Sequence, residues 1–264
     1  MNLHLENKRV LVTGSTGNIG EGIAKRFAQE AAMVIINGRW EAEAKRVAEE
    51  IKIAGGKAVV AIGDLSKDED VAHIVGLVQA ELGGVDVLVN NAAGGGHQDD
   101  MGTPAADWLD SYNINVLSIV SLVQQLLPPM QEQGWGRIIN ISSAASVNPS
   151  PGMGAYSATK AAVNNLTVTF AKAMQNDGVT INTVSPGAIL TPSMIEMGIS
   201  QGMGQSLEEV ETALNQMMGN SVPFKRMGRI DEIADVVVFL ASQLASYVHG
   251  ANIRVDGGYV PTVN

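Results

Sequence analysis

The chain has 264 residues, a formal net charge of −10 and no cysteine. Absent thiols exclude disulfides, cysteine nucleophiles and cysteine metal sites, and the acidic balance opposes general attraction to nucleic acid, anionic membrane or strongly acidic protein partners. No apolar run approaches the roughly 18 residues that span a bilayer, and the opening MNLHLENKRVLVTG has no basic end followed by a long apolar stretch, so the expectation is one acidic cytoplasmic domain with a sizeable core.

Residues 10–12 are Val-Leu-Val, the short apolar run of a strand buried on both faces. The run leads into Thr13-Gly14-Ser15-Thr16-Gly17-Asn18-Ile19-Gly20. Glycines placed between a strand and a helix let backbone approach a pyrophosphate, which the free N–H groups of the helix N-terminus favour. The spacing is Gly-x-x-Gly-x-x-Gly, not the literal Gly-x-Gly-x-x-Gly. Ile19, Ile23 and Phe27 then mark the buried face of a helix.

Residues 33–37 read as the second strand. A site for NAD wants an acid at its end to bind the ribose 2′-hydroxyl. Here that end is Asn37-Gly38-Arg39-Trp40, with no acid before Glu41. Arg39 can pair with a 2′-phosphate and cover an adenine with its planar face, and the Ser15 hydroxyl is a further candidate contact. NADP(H) is therefore favoured over NAD(H).

A charged helix follows at 41–54, closed by Gly55-Gly56, then a strand at 58–62, a helix at 68–82 and a strand at 85–90. A long helix is expected over about 105–133, interrupted near Pro128-Pro129. After a strand at 137–141 and a helix opening near Tyr156, residues 179–184 give another strand. Residues 192–227 break the rhythm, and 231–242 and 252–255 restore it. Strict strand–helix alternation calls for an α/β single domain, a doubly wound parallel sheet with helices on both faces.

Chemistry concentrates at 136–160, GRIINISSAASVNPSPGMGAYSATK. Tyr156 and Lys160 are four residues apart and share a helix face, while Ser143 ends a strand, where open α/β sheets place ligands. A phenol ordinarily titrates near pH 10, and a neighbouring ammonium favours the phenolate. Such a tyrosine can give a proton to a carbonyl oxygen or take one from an alcohol.

Ser143 followed thirteen residues later by Tyr156-x-x-x-Lys160 resembles the signature of the short-chain dehydrogenase/reductase family. The likeness covers nearly the whole chain, to Val255-Asp256-Gly257-Gly258, and implies a Rossmann-type fold. It implies that Tyr156 is the general acid in reduction and the base in oxidation. Lys160 would lower the tyrosine pKa and hold the nicotinamide ribose, and Ser143 would bind the substrate oxygen. The family's supporting asparagine falls on Asn115, in Asn-Val-Leu-Ser, more readily than on Asn113; the spacing also prefers Ser143 to Ser142.

The family's glycine loop usually reads Thr-Gly-x-x-x-Gly-x-Gly, so Asn18 stands where its middle glycine would be. Asparagine tolerates left-handed backbone, and the loop is expected to keep its course. By the same resemblance Asp64 and Leu65 meet the adenine. Asn90-Asn91-Ala92-Ala93 stands for Asn-Asn-Ala-Gly, and Pro186-Gly187-Ala188-Ile189-Leu190-Thr191 holds the nicotinamide carboxamide.

Residues 192–227 correspond to the family's substrate-covering segment. They carry Met194, Met197, Met203, Met217, Met218 and Met227, with Gly198, Gly202 and Gly204 as candidate hinges. Methionines suit a surface that repacks around apolar ligands, or they anchor the lid to the body. The expected reaction is NADP(H)-dependent hydride transfer to or from a small carbonyl or secondary alcohol, apolar or aromatic. A 3-oxoacyl carrier-protein reductase is the nearer alternative, although Met174-Gln175-Asn176-Asp177 offers no basic patch to an acidic carrier. A nucleotide-sensing protein without chemistry is the alternative of another class. The histidines, His97 included, form no metal-type pair, so no metal is expected. The family resemblance implies a homotetramer.

Overall fold

The computed structural model describes residues 2–95, 100–174 and 178–262. His97 and Gln175, Asn176 and Asp177, all weighed above, lie outside the described residues.

Seven parallel strands form one sheet in the order β3-β2-β1-β4-β5-β6-β7. They are β1 (Arg9–Val12), β2 (Met33–Gly38), β3 (Lys57–Ile62), β4 (Val87–Asn90), β5 (Gly136–Ile141), β6 (Val179–Pro186) and β7 (Asn252–Val255). The order reverses between β1 and β4, whose pairs run Val10–Val87 to Val12–Val89. Past their C-terminal ends the connections leave in opposite directions, and a crevice opens there.

Adjacent residues of one strand serve opposite faces, as the period of two demands. Val10 and Val12 pack with α1 (Asn18–Gln29), α2 (Glu41–Ile53) and α9 (Ile230–Ala241) through Ile23, Phe27, Val47, Ile51 and Val237. Leu11 turns the other way, into a layer with α3 (Asp68–Leu82), α5 (Ser118–Glu132) and α6 (Gly154–Ala173) that contains Ile74, Val78, Leu122 and Val163. A continuous apolar strand is thus the joint product of two half-cores.

Ahead of α5 lies α4 (Ala105–Tyr112), joined to it by a π-helical turn at Asn113–Leu117. The long helix is therefore interrupted there and not at Pro128-Pro129, which lie inside α5 near its end. The prolines remove bonds only from a closing stretch, whereas the wide turn is set by packing around Asn115, described below. Residues 192–227 fold into α7 (Pro192–Ser200), α8 (Leu207–Met217) and a short 3₁₀ turn. A separate small cluster of Val210, Leu214 and Met227 holds them together.

Candidate active site

The crevice at the strand ends is a cleft of about 1640 Å³, larger than the roughly 300–1,000 Å³ of an ordinary small-molecule pocket. Its size suits a dinucleotide with a second molecule beside it. Gly14, Thr16, Gly17, Asn18, Ile19 and Gly20 line its floor. Arg39, Asp64 and Leu65 stand at one end and Ser143, Tyr156 and Lys160 at the other. Asn91, Ala92 and Ala93 lie between, and Pro186, Gly187, Ile189 and Thr191 close the far wall.

The glycine loop is a cradle that side chains would fill. A Cβ on Gly20 would stand 2.3 Å from Gly14 O and 2.4 Å from Asn91 Nδ2, and one on Gly14 would stand 2.9 Å from Ala92 Cα. Asn91 braces the turn by donating from Nδ2 to Thr13 O (2.9 Å) and Gly14 O (3.0 Å). Gly17 precedes α1 with no side-chain cap, so the first-turn N–H groups remain open to an anion. Asn18 has φ of 48°, the left-handed conformation expected at the glycine-like position.

Ser15 departs from expectation. It is fully buried, its Oγ donates to Val12 O (2.7 Å) and it accepts from Asn37 N–H (3.0 Å). The hydroxyl fastens β1 to β2 and does not face the cleft, whereas Thr16 does. At the end of β2, a side chain on Gly38 would meet Thr16 Cγ2 at 2.4 Å, so an acid cannot stand there unless Thr16 gives way. Arg39 is exposed and makes no ion pair among the described residues. Burial pushes Asp64 up, but hydrogen bonds from Ser66 and the charges of Arg39 and Lys67 hold it below the ordinary carboxylate value.

At the other end α6 presents Tyr156 and Lys160 beside Ser143. Both serines line the cleft; Ser142 is buried and its Oγ donates to Lys160 O (3.0 Å). Ser143 Oγ accepts from Ala145 N–H (3.1 Å) and acts on the Tyr156 hydroxyl, favouring loss of its proton. Burial raises the tyrosine pKa and the Ser143 contact only partly offsets it. The residues alone therefore do not deliver the lowered phenol inferred from the neighbouring lysine. Lys160 Nζ donates to Ile141 O (2.8 Å) and lies 5.5 Å from the Tyr156 ring centre. Burial pulls its own pKa down to about 8, which leaves it mostly protonated at neutral pH.

Asn115 sits in the π-helical turn and is buried. Its Oδ1 accepts from Gly94 N–H (2.8 Å), and its Nδ2 donates to Gly94 O (2.9 Å) and to Thr159 Oγ1 (2.9 Å). It thus clasps the loop after β4 to α6 one turn from Tyr156. π-turns of this kind gather at functional sites. Asn113 lines the cleft but is less enclosed. Asp100 adds a second clasp, accepting from Gly152 N–H (2.6 Å) and Gly154 N–H (2.7 Å) at the start of α6.

Sequence reasoning missed the α4 wall. Asp107, Asp110 and Ser111 line the cleft, and Ser111 Oγ lies against Gly95, which neighbours Tyr156. For Asp107 and Ser111 the signal was spacing: 107, 111 and 115 fall four apart on one helical surface. Met153, Met194 and Met218 supply the apolar wall. Of the lid methionines, Met227 is buried, Met194, Met203 and Met218 pack on its cluster, and Met197 and Met217 are exposed.

A family model described as enoyl-(acyl carrier protein) reductase matches residues 14–260. The chain belongs to the short-chain dehydrogenase/reductases. Among relatives, a 3-oxoacyl-[acyl-carrier-protein] reductase of Staphylococcus epidermidis is 35% identical, with 96% of this chain and 98% of that protein covered. An L-sorbose reductase from Gluconobacter frateurii, complexed with NADPH and L-sorbose, superposes with TM-score 0.94 at 30% identity over 100% of both chains. A 7α-hydroxysteroid dehydrogenase complexed with NADH and 7-oxo glycochenodeoxycholic acid gives 0.87 at 32%, over 100% of this chain and 98% of that one. This short-chain dehydrogenase/reductase is accordingly an oxidoreductase of the class acting on CH–OH and C=O groups. The α1 cradle with its crowded glycines fits a nicotinamide dinucleotide.

Proposed function

We propose that the chain is an NADP(H)-dependent ketone reductase and alcohol dehydrogenase whose substrate is small, uncharged and mainly apolar or aromatic. The observation that carries this reading is the cleft itself, with an uncapped helix N-terminus at its floor and Ser143, Tyr156 and Lys160 at one end. Arg39, exposed and without an ion pair among the described residues at the other end, supports a 2′-phosphate, as does the Thr16 side chain filling the place of an acid at 38. The cofactor would rest on Gly14 to Gly20, with Asp64 and Leu65 toward the adenine and Ile189 and Thr191 toward the nicotinamide.

When bound, the nicotinamide supplies or accepts the hydride. Tyr156 gives its proton to the carbonyl oxygen as charge develops there, and Ser143 Oγ hydrogen-bonds the same atom. Burial holds the phenol proton on, which suits Tyr156 to the donor's part near neutrality and moves alcohol oxidation to alkaline pH. Lys160, fixed by Ile141 O, brings a positive charge beside Tyr156, and Asn115 keeps the loop and α6 in register around it.

Met153, Met194 and Met218 support an apolar substrate body. The matched family's description and the carrier-protein relative raise the acyl-reductase reading. Against it, the cleft's cations are Arg39 and Lys160 alone among its described lining residues, while Asp107 and Asp110 flank the substrate end. We place the protein in the cytoplasm as a homotetramer. Exposed Leu109, Tyr112, Leu117 and Val168 around α4 to α6 support pairing of copies, which light scattering reads directly.

The test follows NADPH and NADH oxidation with aliphatic ketones, aryl ketones, diketones and an acetoacetyl thioester. Turnover of a ketone with NADPH that is lost in Tyr156→Phe is expected. Turnover of the thioester alone would install the acyl-reductase reading, and tight nucleotide binding without turnover in either direction would leave a sensor.

A further inference from the structure

Asn18, at the glycine-like position of the loop, has a side chain where a glycine would have none. Its backbone already takes the left-handed conformation, so the loop's path is kept and the amide is left to reach outward. It reaches the lid. Asn18 Nδ2 donates to Ser193 Oγ (2.7 Å), and Asn18 Oδ1 faces Ser193 Oγ (2.9 Å) and Ser193 N–H (3.3 Å). The two residues are 175 positions apart in sequence.

Ser193 belongs to the first turn of α7, directly after Thr191, which caps that helix, and Pro192. The lid's own cluster ties α7 to α8 and Met227. The Asn18 contact instead ties α7 across the cleft to the cofactor loop. Both residues line the cleft, between the Arg39 end and the Tyr156 end. A dinucleotide lying along this floor passes its diphosphate by the N-terminus of α1, where Asn18 stands.

We infer that Asn18 and Ser193 form a strap across the middle of the cleft, which opens for the dinucleotide to enter or leave. The inference rests on the nucleotide-binding reading above. The pair are positioning residues: they touch no reacting atom, and they set how long the lid's first helix stays over the cofactor. Family members with glycine at this position have no side chain from which to build the strap.

The test is stopped-flow release of NADPH, displaced by excess NADP⁺, from the wild type, Asn18→Gly, Ser193→Ala and the double variant. Glycine adopts left-handed backbone without strain, so the loop retains its shape. Exposed neutral hydrogen bonds are modest, and each single variant should release NADPH about three- to tenfold faster. The double variant should be no faster than the faster single, because both remove one shared contact. Ser193→Thr, which keeps the hydroxyl, should restore slow release, and the pH profile of kcat/KM should not move. Release rates in the singles that stay within about twofold of wild type, or effects that multiply in the double, would overturn the strap. A wild type that binds neither NADPH nor NADH would overturn the nucleotide reading, and the strap with it.

Discussion

Replacing Lys160 with methionine should stabilise the fold at neutral pH while removing most activity. The side chain is 2% exposed, and burial pulls its pKa from 10.5 to about 8. At about 1.4 kcal/mol per pH unit, that displacement is a penalty of about 3 kcal/mol on the folded, charged form. Methionine removes the penalty but abandons the bond to Ile141 O, which costs about 1–3 kcal/mol for an unsatisfied buried group. The expected net gain at pH 7 is about 1 kcal/mol. The sign with pH follows from linkage. Below about pH 8 folded and unfolded chains both hold the proton; between about 8 and 10.4 only the unfolded chain does, so wild-type stability at this position rises. By pH 9.5 that rise is about 2 kcal/mol, enough to reverse the order of the two proteins. Urea unfolding of both at pH 7 and 9.5 measures it. A wild type that is the more stable at pH 7, with the same gap at pH 9.5, would refute the reasoning.

Arg39→Ala should weaken NADPH binding by roughly ten- to a hundredfold, the worth of a charge-assisted contact. NADH binding should hardly change, and fluorescence titration with both nucleotides decides; equal losses would remove the 2′-phosphate assignment. In Asp107→Asn/Asp110→Asn, kcat/KM for acetoacetate should rise about tenfold over wild type as two exposed like charges are lost. Its methyl ester should be unaffected, and added salt should shrink the difference. Gly20→Ala drives a methyl into Gly14 O, so thermal unfolding should show a loss of about 1–3 kcal/mol. Nucleotide affinity should fall with it; a variant of wild-type stability would mean the cradle is loose.

Much of this was legible because the signals were local. The strand at 10–12, the glycines after it and the Ser143–Tyr156–Lys160 spacing each declare themselves within a few residues. What escaped depended on packing. Asn113–Leu117 carries no unusual residue, and its wide turn answers to Asn115 gripping Gly94 and Thr159. The prolines at 128 and 129 advertise a break yet lie inside α5 near its end. Ser15 looked like a ligand by position, but the β1–β2 register aims its hydroxyl inward. The spacing brings Lys160 to Tyr156 correctly, yet the direction of the tyrosine shift is set by burial, which no spacing encodes.

The common direction of the seven strands also divides the chain's tolerance to alteration. Among the described residues, the connections that leave the C-terminal ends of β1 to β6 border the cleft, while those returning to an N-terminal end turn at the opposite rim. Gly55, Gly83, Gly134 and Gly178, all with positive φ, mark such returns. Extra residues spliced in at Gly55 or Gly83 lengthen a turn remote from Tyr156, so tags, reporters or surface tethers belong there. An insertion of the same length at Gly17 or Ala145 would remake the floor or the wall of the site. One rim of the sheet is open to engineering and the other is closed to it.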